Sequence, residues 1–169
     1  MFENEPENWM ERRDYPDLDD QVERLLREAA LHWEDPETAE NLLRQAQDQA
    51  PDHIQVHISM YKFLFYTHQY EKAADCAMQC IELILQKRQI HKPMIALCKD
   101  DAPFETFDPE LRFLMNAMMA YGYCLLRQGQ NEKGKAVLDV LAQLDSEKQT
   151  SVLSLINIVD KTIEEAELN

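Results

Sequence analysis

The chain has 169 residues, 45% hydrophobic and 29% charged, a length that suits one domain with one ordinary core. Its formal net charge of −15 would repel a phosphate backbone, so neither nucleic acid nor an anionic membrane surface is expected as a partner. Only three glycines, among many Leu, Ala, Gln, Glu and Met residues, favour helix over sheet and predict an all-α fold.

The N-terminal segment is strongly acidic. Residues 1–20 hold eight acids against two arginines, with little apolar surface to bury, so residues 1–19 are predicted to form a flexible acidic arm. No apolar run approaches the roughly 20 residues of a membrane span, and the start of the chain lacks the basic and apolar regions of a secretory signal. A cytoplasmic location is therefore expected.

From about residue 18 the apolar residues recur at helical spacing, and the breaks between them predict seven helices. The predicted segments are about 18–34, 36–50, 52–67, 69–88, 109–128, 130–144 and 147–166. Asp35-Pro36 and Asp108-Pro109 each offer a capping carboxylate followed by a proline at the first helical position. Gly129 suits a left-handed helix end, while Ser146 and Gln149 predict a capping box before the last helix.

Small residues mark an internal repeat. Ala39 and Ala73 lie 34 residues apart, and each is followed seven residues later by another small residue, Ala46 or Cys80. Small side chains are needed where two antiparallel helices approach closely, because larger ones would push the backbones apart. The sequence therefore predicts at least two helix pairs with the same packing.

The period of 34, the Gln69–Ala73 turn, and Gly122 and Gly134 twelve residues apart resemble the tetratricopeptide-repeat (TPR) family. The resemblance covers roughly residues 20–145 and implies a right-handed solenoid of helical hairpins. It implies units near 20–53, 54–88 and 115–146, an insert at about 87–110 and a capping helix at about 147–166, all in one domain, 20–167. An unrelated helical bundle is the alternative.

In most members of that family the first helix of each unit lines a concave groove that binds a peptide. The family's groove-facing pattern gives these candidates in this chain: Arg24, Glu28, Gln55, Lys62, Phe65, Tyr66, Asn116, Met119, Tyr123 and Arg127. The apolar ones could anchor a ligand and the cations could pair with carboxylates, but they do not reproduce the family's clamp for chaperone tails. The alternative is that Phe65, Tyr66 and Met119 fill the core.

The insert begins with a basic cluster and continues with two phenylalanines. We interpret these residues as a docking element for an acidic partner, or the two rings as a lid over the groove. The docking candidates are Lys87, Arg88, Lys92, Phe104 and Phe107. The alternative is that the charges form an ordinary solvated face.

On paired helices, a zinc site could be formed by His53, His57, Cys76 and Cys80. Core packing explains His57 and Cys80 equally well, so no metal site is predicted. The sequence has no Gly-rich phosphate loop, HExxH motif or serine elbow, so neither enzymatic activity nor a cofactor is expected.

The leading hypothesis is a non-enzymatic adaptor or small chaperone-like scaffold that binds a peptide or helix of another protein. The alternatives are a self-assembling structural helical-repeat protein, which would form a homo-oligomer, and a metal- or redox-sensing helical protein.

Overall fold

A computed structural model describes residues 17–168, apart from the side chain of Ile163, and this part of the chain is all-helical. Its α-helices are α1 (Asp20–Leu31), α2 (Pro36–Gln49), α3 (Ile54–Tyr66), α4 (Tyr70–Lys87), α5 (Pro109–Arg127), α6 (Asn131–Leu144) and α7 (Val152–Glu167). Two 3-10 turns, Met94–Ala96 and Lys99–Asp101, lie between α4 and α5. Within residues 17–168 the all-α class and the seven predicted helices are confirmed. Residues 1–16, most of the predicted arm, lie outside the described residues.

The predicted start and stop signals are largely confirmed. Asp35 caps α2 by accepting a hydrogen bond from the Thr38 amide (3.3 Å), and Asp108 caps α5 by accepting from the Leu111 amide (3.1 Å). Gly129 has φ +77°, the left-handed conformation that ends α5. Local chemistry therefore fixes these boundaries.

The predicted start of α7 is wrong. Ser146 and Gln149 form no capping box, because the buried Asp145 carboxylate accepts the Gln149 amide (2.7 Å) and the Thr150 amide (2.8 Å). These bonds hold residues 145–150 in a turn, so α7 begins at Val152 rather than near residue 147.

Each helix packs on the next one along the chain, and α3 also contacts α5. The core consists of two clusters of buried side chains, and α3 contributes to both. Ile54, Ile58 and Tyr61 join the larger cluster, which extends through α4 and the insert to α7, whereas Val56 and Met60 join the smaller cluster around α1 and α2. Because α3 is apolar on two faces, it is buried along most of its length.

The small residues lie where the helices approach closely, as predicted. Ala39, Ala73 and Cys80 are at most 1% exposed. A Cβ atom on Gly134 would lie 2.9 Å from the carbonyl oxygen of Gly122, and one on Gly122 would lie 2.8 Å from Leu138 Cδ2. The contact between α5 and α6 thus depends on the absence of side chains at both positions.

The ends of α3 and α5 repeat each other. Gln69 donates its amide to the carbonyl of Leu64 (2.8 Å), and Gln130 donates to that of Leu125 (2.9 Å). Donors and acceptors are both 61 residues apart (130 − 69 and 125 − 64), the same offset as Ala73 and Gly134. The second and third helix pairs therefore share their turn geometry. No helix within residues 17–168 combines the length and apolar content of a membrane-spanning helix.

Candidate functional site

Contacts near their ends link α1 to α3 and α3 to α5. Before α1, Asp17 Oδ1 lies 3.5 Å from Nε2 of His53, the residue that precedes α3. After α1, the ring of Trp33 packs on Tyr66 at the end of α3, with centroids 5.3 Å apart. Phe65 in turn contacts Tyr123 of α5 (5.3 Å). These contacts make α1 and α3 parallel neighbours and bring α5 against the end of α3.

Nine of the ten groove candidates are exposed or half-buried on these three helices. We call this surface the wall: Arg24, Glu28, Gln55, Lys62, Phe65, Tyr66, Asn116, Tyr123 and Arg127. On α3, Gln55, Lys62 and Tyr66 follow at intervals of seven and four residues, so they form one stripe along an otherwise buried helix.

Met119 does not belong to this surface. It is 1% exposed and packs in the larger core cluster, because the α5 face that carries it turns toward neighbouring helices. The alternative assignment to the core is therefore correct for Met119. Phe65 is half-buried and also packs against core residues, whereas Tyr66 is 42% exposed.

One end of the wall is an aromatic cluster formed by Trp33, Phe65, Tyr66, Tyr70 and Tyr123. Beyond the two ring pairs already given, Phe65 contacts Tyr66 (5.6 Å) and Tyr70 contacts Tyr123 (6.2 Å). Trp33 is 39% exposed, so the cluster presents ring surface to solvent. Sequence reasoning missed Trp33 and Tyr70, which lie in the turn after α1 and at the first position of α4.

Arg127 extends this cluster. Its guanidinium carbon lies 4.9 Å from the ring centroid of Tyr70, a cation–π geometry. Such stacking orients the side chain and leaves the guanidinium edge free to donate hydrogen bonds.

Lys62 lies half-buried in the middle of the α3 stripe, in the electrostatic range of the buried Cys80 thiol. Burial lowers the pKa of its ammonium group. Lys62 forms no ion pair or hydrogen bond with the described residues, so the cost of removing its charge from water is not offset within them.

The other cations of this surface also lack acidic partners among the described residues. Arg24 and Arg127 form no ion pair with an acid of residues 17–168, and neither does Arg112, which precedes Asn116 by one helical turn. Sequence reasoning missed Arg112, although its spacing of four from Asn116 was a usable signal. Glu28 is the one acid among the nine wall residues.

The basic cluster of the insert is engaged within the fold. Lys87 pairs with Glu110 (2.6 Å), Arg88 pairs with both Glu110 (2.8 Å) and Asp108, and these pairs fasten the end of α4 to the start of α5. Burial alone would raise the pKa of Asp108, but its hydrogen bonds with Arg88 and the α5 amides lower it. These contacts give Lys87 and Arg88 a structural role, and their docking role stays a prediction.

Lys92 is also engaged, since its ammonium group lies 2.7 Å from Asp101 Oδ1. Hydrogen bonds from Lys92 and from the Cys98 amide hold the pKa of Asp101 at about 2. The pair braces the loop that contains the two 3-10 turns.

The two phenylalanines of the insert have opposite environments. Phe104 is 1% exposed in the larger core cluster, so its predicted docking role is wrong and the two rings do not form a lid. Phe107 is 77% exposed. Gln149 donates its side-chain amide to the carbonyls of Phe104 (3.0 Å) and Thr106 (3.3 Å), which ties the insert to the loop before α7.

A cleft of about 730 Å³ is lined by α4, α5, α6 and the start of the insert. Its lining is mainly apolar and includes Met78, Ile90 and Val137, with Glu82 and Lys133 also contributing.

His57 and Cys80 are packing residues. His57 is 4% exposed and donates from Nε2 to the Pro51 carbonyl (2.5 Å), and Cys80 is fully buried. Burial raises the pKa of Cys76 to about 11 and that of Cys80 to about 12, which disfavours the thiolate that binds metals. Among residues 17–168 no three His, Cys, Asp or Glu side chains are grouped as metal ligands.

The chain is 31% identical over 147 residues to a protein of Azotobacter chroococcum mcd 1 described as an uncharacterized 19.8 kDa protein in the nifW 5′ region. The match covers 81% of each chain. No family model and no solved structure matches the chain.

Proposed function

The chain belongs to the same family as this Azotobacter chroococcum protein, and we propose that it is a non-enzymatic scaffold that binds a peptide or helix of another protein. In this proposal the helices form a TPR-like solenoid of three hairpins with a capping helix, α7, and the wall is its concave binding surface. The observation that carries the proposal is the exposed aromatic cluster beside cations that have no acidic partner within residues 17–168.

Repeated local geometry supports the solenoid. The period of 34 joins the first two helix pairs, and the shared offset of 61 joins the second and third. This difference of 27 (61 − 34) is the extra length between the second and third pairs, and the insert lies there. The insert therefore interrupts the sequence period without changing the turn geometry of the pair that follows.

The wall has the composition of a binding surface. Aromatic residues and arginine dominate the binding energy of protein interfaces, because they bury a large area with few rotatable bonds. Trp33 and Tyr66 present partly exposed rings, and Arg127 is already oriented by Tyr70. A ligand would thus meet a preorganised surface rather than pay for ordering it. We propose that this adaptor or chaperone-like scaffold acts in the cytoplasm.

The test is a pull-down from native lysate with full-length protein and the Tyr66→Ala, Tyr123→Ala double variant. Phe107→Ala is the comparison variant, since it removes the exposed ring of the insert, the other candidate docking surface. We expect mass spectrometry to find a protein that wild type and Phe107→Ala retain and that the still-folded double variant loses. Equal retention by all three would exclude the wall as the binding surface.

Self-assembly is the second candidate, because α7 exposes Leu153 (48%) and Ile158 (62%). Light scattering on the purified protein tests it. A homo-oligomer that Ile158→Glu converts to monomer would favour this function, whereas a monomer at all concentrations would dismiss it.

A further inference from the structure

The pairing of cations in this chain is selective. With 32 acids and 17 basic residues, an arginine or lysine has many carboxylates available. On α1, Arg27 pairs with Glu23 (2.6 Å), yet Arg24, three residues earlier, has no acidic partner among residues 17–168. All three cations at the start of the insert are paired as well. Exposed lysines outside the wall, such as Lys99 and Lys133, also lack an acidic partner among these residues, so Lys62 differs from them in being both unpaired and half-buried.

Lys62 is the wall cation that combines partial burial with the absence of an acidic partner among residues 17–168. An ammonium group held half-buried without a counter-charge destabilises the free protein, and a carboxylate from outside would find it poorly solvated. Charge-assisted hydrogen bonds are strongest where water is excluded, so the pair would gain more here than on an open surface.

The rings lie next to the cations along the helices. Tyr66 follows Lys62 by one turn of α3, and Arg127 follows Tyr123 by one turn of α5, so each ring shares a face with a cation about 6 Å along the axis. The contact between Phe65 and Tyr123 joins the two helices at this level. An apolar side chain seated on the rings would thus have cations on two sides.

We infer that the wall binds an acidic segment of a partner protein, with carboxylates on either side of an aromatic or aliphatic residue. The carboxylates pair with Lys62 and Arg127, and the apolar residue contacts Tyr66 and Tyr123. This inference rests on the proposed binding function and adds the chemistry of the ligand.

Because the net charge of the protein is −15, a preference for acidic peptides would distinguish a specific site from general electrostatic attraction. Basic peptides are attracted to the whole surface of such a protein, but their binding should not depend on Lys62. An acidic segment is repelled at long range and attracted only locally, and salt at physiological concentration screens the repulsion beyond about 8 Å. Dependence on Lys62 thus separates the site from general electrostatics.

The experiment is selection of a displayed library of random 12-residue peptides on immobilised full-length protein. The variants are Lys62→Glu, the milder Lys62→Gln and Tyr66→Ala, each checked for folding by denaturation. Lys99→Glu is the control, because it makes the same charge change at an exposed insert lysine that pairs with no acid of residues 17–168. We expect enriched peptides with Asp or Glu on both sides of an apolar residue, at least tenfold less enriched on Lys62→Glu and unchanged on Lys99→Glu.

Other outcomes overturn the inference in distinguishable ways. Neutral or basic peptides that depend on Tyr66 but not on Lys62 would leave the binding function intact and refute the acidic ligand. Absence of any wall-dependent peptide would refute both.

A further variant tests whether the chain's own acidic residues 1–16 occupy the wall. It neutralises their acids through Glu3→Gln, Glu5→Gln, Glu7→Gln, Glu11→Gln and Asp14→Asn. Acidic peptides enriched only on this variant would make the chain itself the occupant, and not a partner. A dimer that Lys62→Glu dissociates would make a second copy the occupant.

Discussion

The wall and the insert both combine cations with aromatic rings, but their groups find partners in different places. In the insert, Lys87, Arg88 and Lys92 pair with acids of the same chain, and Phe104 enters the core. On the wall, Lys62 has no acidic partner within residues 17–168, and Tyr66 remains 42% exposed. Similar composition thus serves folding in one region and, as we propose, binding in the other.

The comparison shows why a basic cluster alone does not indicate a docking site. The acid that neutralises Lys87 lies 23 residues away at the start of α5, so the pairing becomes visible only once α4 and α5 pack together. A half-buried cation without an acidic partner is the more informative signal, because burial makes the missing partner costly.

The largest expected difference lies within the insert. Phe104→Ala should lower the free energy of unfolding by about 3–5 kcal/mol, because it leaves a cavity in the larger core cluster. Phe107→Ala should change it by less than about 0.5 kcal/mol, since that ring is mostly in water. Urea denaturation of the two variants measures both. Equal losses would mean that the insert does not anchor through Phe104.

Replacing one arginine in each region compares how much each cation stabilises the fold. Arg88→Met should destabilise the protein by about 1–2 kcal/mol, because it breaks half-buried charge-assisted bonds and leaves Asp108 and Glu110 without their partner. Arg127→Met should cost about 0.5–1 kcal/mol, the value of its stacking on Tyr70. Double-mutant cycles that combine each arginine variant with Glu110→Gln measure how strongly each arginine is coupled to Glu110. Coupling to Arg127 as strong as that to Arg88 would contradict it.

The charge of Lys62 on the wall should destabilise the free protein. Lys62→Met should raise the free energy of unfolding by about 0.5–1 kcal/mol at pH 7, because an apolar side chain replaces a poorly solvated charge.

The folded state lowers the pKa of Lys62, so the cost of its charge is complete below the folded pKa. This cost disappears as the pH rises toward 10.5, the ordinary pKa of a lysine side chain. The stabilisation by Lys62→Met should therefore shrink between neutral and alkaline pH in thermal melts, and a constant stabilisation would point to packing alone.

The smallest effect belongs to the exposed pair of Lys92 and Asp101. The folded state lowers the pKa of Asp101 to about 2, so this carboxylate stabilises the fold above its ordinary value of 3.8 and loses that contribution as pH falls toward 2. Asp101→Asn should therefore flatten the acid limb of the stability profile in this range. The same replacement at the exposed Asp52 is the control for the loss of one carboxylate.

Local signals were sufficient for most of the fold. Capping carboxylates, prolines and apolar spacing placed α1–α6 inside the predicted segments, because these features act within a few residues. The start of α7 was missed because the buried Asp145 uses its carboxylate on the following turn, a choice that depends on burial as well as on sequence.

The wall was only partly predictable. Helical spacing found Lys62, Tyr66 and Tyr123, but a rotation of α5 by a fraction of a turn decides that Met119 is buried. Trp33 follows no periodicity because it lies in a turn, and its contact with Tyr66 forms only when α1 and α3 lie side by side.

The hydrogen bonds from Gln149 to the insert affect which parts of the molecule unfold together. In a simple repeat array each unit touches only its neighbours, and the ends open independently. Here the loop before α7 is tied to the backbone of Phe104 and Thr106, while α1 and α2 share the separate, smaller core cluster. Native-state hydrogen exchange should therefore divide the chain into two cooperative units that meet at α3, not into three repeats.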